Sequence, residues 1–146
     1  MNRAIAGLPA ALVLAACSGL KSYPNDLPAN LVVRSELDKA RGSLHIHQVD
    51  ASCRTEYRGT VALDGPSVAV GIPPERLAWI VATFDTSSFF GGSSATSAGT
   101  LLRPRAGYRY ELRLRYRDNI YDFAMSETAP GKASRPVARR DLDSCK

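Results

Sequence analysis

An all-β fold, a small antiparallel β-sandwich or barrel of about six to seven strands, is what this sequence predicts, and three observations predict it. Apolar residues recur with period two rather than 3.6. The alternating runs are short and are punctuated by Gly, Pro, Asn and Asp. Helical periodicity never extends beyond a possible turn at Glu75-Arg76. The chain has 146 residues, 45% hydrophobic and 23% charged, which suits one domain with enough apolar material for a core and excludes a multidomain enzyme. With 11 Gly and 9 Pro it is neither collagen-like nor low-complexity.

Taken in order, Leu31 to Leu37 is an early candidate strand, followed by Leu44 to Val49 and Gly59 to Leu63. Asp64-Gly65-Pro66 turns the chain into Ser67 to Ile72, and Pro73-Pro74 ends that run because proline cannot donate to a ladder. Leu77 to Phe84 is apolar on both faces, which predicts a central strand. Asp85 to Thr100 then changes to Ser, Thr, Gly and Ala and is expected to form a long loop. The clearest signal is Tyr108 to Arg117. It sets Tyr108, Tyr110, Leu112, Leu114 and Tyr116 toward a core and Arg109, Glu111, Arg113, Arg115 and Arg117 toward water. Asp118-Asn119 makes a turn, and Ile120 to Ser126 returns as the second arm of a hairpin, with Tyr121, Phe123 and Met125 inward. Val137 to Leu142 is a short last strand, and no internal repeat is present.

The N-terminus carries an address. Arg3 supplies a positive charge, and Ala4 to Leu14 is uncharged but too short for the roughly 20 apolar residues of a membrane-spanning helix, which is the shape of an export signal. Leu14-Ala15-Ala16-Cys17 resembles the lipobox of bacterial lipoproteins. That resemblance implies cleavage before Cys17, diacylglycerol on its thiol and acylation of the new amino group. Residues 1–16 are then a signal peptide, 17–30 a lipidated, flexible tether and 31–146 the β-sandwich domain. Two or three acyl chains hold a protein at a membrane far more firmly than one. Ser18, standing where aspartate would resemble an inner-membrane retention signal, favours the outer membrane, with the domain facing the periplasm.

With Cys17 assigned to lipid, Cys53 and Cys145 remain, and an oxidising periplasm permits a disulfide between them. Closing a loop of about 90 residues is worth roughly 4–5 kcal/mol in the chain-entropy model. Two unpaired cysteines are the alternative. Zinc spacing accompanies neither residue.

Few residues suggest chemistry. His45 and His47 share one strand face about 7 Å apart, but a metal site needs a third ligand, and Asp50 is the nearest unsupported helper, so no metal or cofactor is expected. There is no G-x-S-x-G elbow and no phosphate-cradling loop, so no catalytic residue is assigned and the protein is read as not an enzyme. Two features remain. Arg109, Arg113, Arg115 and Arg117 form a ladder able to meet an anionic polymer or lipid, or else a solvated face neutralised by nearby acids. Phe89 and Phe90, flanked by Gly91-Gly92, project as a partner loop or fold back onto the core.

A formal charge of +5 permits anionic partners without demanding nucleic acid, and the aromatics opposite the arginines argue against base stacking. The leading expectation is a lipid-anchored, non-catalytic binding or assembly component of the cell envelope with a protein partner there. A receptor for an anionic envelope ligand is the alternative, and a hydrolase with an unrecognised site ranks last.

Overall fold

The computed structural model describes residues 20–87 and 91–145. Nine strands lie among them: β1 (Leu31–Leu37), β2 (Arg41–Val49), β3 (Thr55–Ala62), β4 (Ser67–Val70), β5 (Ala78–Ser87), β6 (Ser93–Leu102), β7 (Arg109–Arg117), β8 (Ile120–Thr128) and β9 (Arg135–Val137). They form two sheets, ordered β4-β1-β7-β8-β9 and β3-β2-β5-β6, stacked as a β-sandwich. All pairings are antiparallel except β1 with β7, which run parallel.

Alternation in sequence becomes the core. Leu31, Val33, Leu112 and Leu114 point inward from the five-stranded sheet to meet Leu44, Ile46, Ile80 and Phe84 from the other. Phe84 stacks on Tyr116 with ring centroids 5.4 Å apart and on Tyr121 at 6.0 Å. β7 alternates between buried and accessible residues as its sequence predicts. Asp118 and Asn119 both take positive φ, 51° and 64°, the conformation of a two-residue hairpin turn whose twist matches its strands. β5 is central in its sheet, as its two apolar faces predict.

Three expectations are corrected. The long loop from Asp85 to Thr100 is instead the end of β5 and most of β6, in unbroken register from Ala78↔Leu102 to Ser87↔Ser93. Ser and Thr make cross-strand hydrogen bonds there, Thr83 with Ser97 at 3.0 Å and Thr86 with Ser94 at 2.8 Å. Phe89 and Phe90, at the expected loop's tip, lie outside the described residues. The short strand expected over Val137 to Leu142 is displaced: β9 ends at Val137, and Leu142–Cys145 is a 3-10 turn. Pro136 within β9 fits an edge position, where its missing N–H costs no ladder bond.

The third correction concerns the tether. From Lys21 onward the segment lies against the domain: the Thr60 N–H donates to the Lys21 carbonyl at 2.8 Å and the Tyr23 N–H to the Thr60 carbonyl at 2.9 Å. The Tyr23 hydroxyl donates to the Gly71 carbonyl at 2.8 Å. Asn25 and Asn30 act as short stand-ins for a paired strand. The Asn25 amide donates to the Ala69 carbonyl while its oxygen accepts from the Gly71 N–H, both at 2.8 Å. Asn30 does the same with the carbonyl and N–H of Ile72, at 2.8 and 2.9 Å. The approach is too close for side chains: an added Cβ would fall 2.5 Å from the Tyr23 Cα at Gly59 and 2.4 Å from the Leu27 carbonyl oxygen at Gly71. A composition that resembles a tether therefore closes the side of the sandwich between edge strands β3 and β4.

The C-terminal segment closes the opposite side. Beyond β9, the Arg139 guanidinium lies 5.8 Å from the centre of the Phe123 ring. The Leu101 N–H then donates to the Arg140 carbonyl at 2.8 Å, and the Arg140 N–H donates to Thr100 Oγ1 at 3.0 Å. Cys145 ends the segment in a disulfide with Cys53, their Cα atoms 5.9 Å apart.

Candidate functional site

The arginine ladder sits on the outer face of the five-stranded sheet, because the partners of Arg109, Arg113, Arg115 and Arg117 in the alternation fill the core. Parallel pairing of β1 with β7 sets Arg34 beside Arg113 and Glu36 beside Arg115, and β8 adds Asp122 opposite Arg115. The Arg113 Nε donates to Glu111 Oε1 at 2.6 Å, and the Arg34 Nε donates to Glu111 Oε2 at 3.0 Å. Those two guanidinium contacts, Arg113 foremost, hold the Glu111 carboxyl below its usual range. Arg115 donates to Glu36 at 3.1 Å. The middle of the ladder is thus a mixed-charge surface around an open groove of about 540 Å³, and exposed pairs of this kind contribute about 0–1 kcal/mol each. Arg109 and Arg117, at its two ends, have no ion-pair partner among the described residues.

His45 and His47 do share a face, the outer face of the four-stranded sheet, since Leu44 and Ile46 take the inner positions of β2. Thr60 Oγ1 lies 2.8 Å from His45 Nδ1 and Ser43 Oγ 3.1 Å from its Nε2, while the Tyr57 hydroxyl is 2.5 Å from Thr60 Oγ1. His47 packs against the Tyr57 ring at 5.3 Å. Burial, then the neighbouring His45, push the His47 pKa down. No third metal ligand joins them among the described residues. Asp50 is engaged elsewhere. Its carboxylate accepts from the N–H groups of Ser52 and Arg54 and from Arg54 Nε, shaping the turn that presents Cys53 at φ 61°. The Arg54 backbone hydrogen bond is the largest of the influences lowering its pKa.

Sequence reasoning missed a cleft of about 450 Å³ between the N-terminal segment, the middle of β2 and the Pro73–Leu77 connection. Its lining includes Leu27, Ile46, Ile72, Pro73, Pro74 and Leu77, with Tyr23, Asp26, His47, Gln48, Arg58 and Arg76 supplying polar groups. Arg58 is the extra residue of a bulge, where pairing jumps from Ile46↔Gly59 to His47↔Tyr57, and a bulge re-aims the side chain it carries. The double proline and the two asparagines are the sequence signals that bear on this cleft, but they mark chain breaks and do not show what the breaks enclose.

No protein-family description matches the chain, and no curated protein matches it. Among solved structures, transthyretin from Sparus aurata has a similar fold, at a TM-score of 0.50 and 14% identity over 70% of this chain and 100% of that one. Sea bream transthyretin in complex with thyroxine gives a TM-score of 0.47 at 14% identity, over 77% and 99% of the two chains. At such identity the first likeness supports the sandwich fold alone.

Proposed function

We propose that this chain is a lipid-anchored periplasmic β-domain, a non-catalytic binding or assembly component of the bacterial cell envelope, held at the outer membrane by acylated Cys17. The Cys53–Cys145 disulfide carries this reading, because such bonds persist in the oxidising compartments beyond the cytoplasm, the destination of a chain exported behind a lipobox. The docked N-terminal segment adds a distance. Only Ser18, Gly19 and Leu20 separate Cys17 from the first docked residue, so extended backbone allows a reach of at most about 14 Å. The domain is therefore held against the bilayer surface. In fractionated cells the wild-type chain is expected in the outer-membrane fraction and Cys17→Ser outside it. An unchanged distribution of the variant would contradict the anchor. The partner-loop reading of Phe89 and Phe90 is tested by capture of envelope proteins after replacing both with Ser.

A second reading, a receptor for an anionic envelope ligand, is favoured by Arg109 and Arg117, which lack acidic partners among the described residues. In the middle of the ladder the ligand must compete with Glu36 and Glu111. Charge reversal at Arg109 and Arg117 is expected to abolish salt-sensitive binding to anionic polymer, whereas salt-independent binding would reject this reading.

A further inference from the structure

We propose that the cleft beneath the N-terminal segment binds a small amphipathic monocarboxylate, an alkyl chain bearing one carboxylate. Three features of the cleft argue for that class. Its walls are preformed: Tyr23, Asn25 and Asn30 fix one side by hydrogen bonds to Thr60, Ala69, Gly71 and Ile72, and glycines at 59 and 71 admit the segment at backbone contact distance. A preformed wall spares a ligand the entropy of ordering it. The base and part of the walls are apolar. Ile46 and Ile72 are 2% and 1% exposed at its base, the two prolines and Leu77 line it, and Leu27 is 40% exposed, an uncommon position for a large aliphatic side chain in this molecule. A cavity of about 450 Å³ falls within the range of small-molecule sites, which combine an apolar body with a few placed polar groups.

Charge selects the head group. The ionised lining residues are Arg58, Arg76 and Asp26, one net positive charge. Arg58 is also engaged by Glu56 at 3.0 Å, outside the lining, whereas Arg76 has no ion-pair or hydrogen-bond partner among the described residues. Arg76 is therefore the first contact for a carboxylate, in the forked geometry that guanidinium offers. The cleft does not depend on the anchor, so acylation of Cys17 and ligand binding stand or fall separately.

The test is titration of the chain from Ser18 onward, which contains every described element and the disulfide, with octanoate, followed by amide chemical shifts. Saturable shifts are expected at Leu27, His47, Ile72 and Leu77. Arg76→Glu should weaken binding at least tenfold while its spectrum stays folded, and Arg76→Lys, which keeps the charge but loses the fork, should fall between that variant and wild type. Octylammonium should bind at least tenfold more weakly than octanoate, and Arg113→Glu, on the opposite sheet, should change nothing. Non-saturating shifts, shifts centred elsewhere, equal binding of octylammonium or an unaffected Arg76→Glu would each overturn the proposal.

Discussion

His47 shows how a single position is set by both faces of its strand. Ile46 must point into the core, so His47 is turned to the outer surface, where the Tyr57 ring packs against it and His45 lies on the same face. Both effects lower its pKa from the ordinary 6.5, burial more than His45. As pH falls the unfolded chain takes up this proton first, so the stability present above about pH 6.5 is lost as pH drops through the folded value. Denaturant unfolding at pH 7.5 and pH 5 is expected to give a smaller loss for His47→Gln than for wild type. An identical loss in the two proteins would contradict this assignment. The pairing of His45 with His47 on one face is legible from the i, i+2 spacing, but the hydroxyls of Ser43, Tyr57 and Thr60 around them are not. Tyr57 and Thr60 arrive on a neighbouring strand whose register is shifted by a bulge.

At the scale of elements, legibility follows side-chain contrast. β7 could be read residue by residue because Tyr and Leu alternate with charge across a boundary between core and water. β6 could not. From Ser93 to Gly99 it carries small or weakly polar side chains on both faces, and its inward Ala98, Thr100 and Leu102 resemble its surroundings too closely to mark a period. Its outer face must even be small at one point: a Cβ on Gly99 would lie 2.6 Å from Trp79 Cζ2. The cysteines were more legible than the segment joining them, since two remain once Cys17 is set aside, whereas the strap from Arg135 to Cys145 has little periodicity of its own. That strap is held by β9, by Arg140 on Thr100 and Leu101, and by the disulfide. Cys145→Ser removes the last tie, with Cys53 left free. The expected cost is about 2–5 kcal/mol in equilibrium unfolding. A variant as stable as wild type would mean that β9 and Arg140 suffice.

For the whole molecule, the two terminal segments share one task on opposite sides of the sandwich. A two-layer β fold leaves its sides open between edge strands, and here residues 21–30 close one and residues 138–145 the other. Turn-forming residues predict irregular chain at the N-terminal end and a short strand is expected over Val137 to Leu142 at the other, but the packing of both segments depends on backbone groups of distant strands, which no local pattern reveals. The same reasoning applies to the arginine ladder. Its face and the presence of Glu111 beside Arg113 were readable from alternation, while the pairing of Glu36 with Arg115 and of Arg34 with Glu111 required the parallel register of β1 on β7. Docking also shortens the link between Cys17 and the fold, so an anchor there would govern where the entire domain works. Intact mass analysis of the protein isolated from its native envelope tests that anchor most directly. A chain beginning at Cys17 and carrying a diacylglyceryl thioether is expected. A free thiol at that cysteine, or retention of residues 1–16, would contradict it.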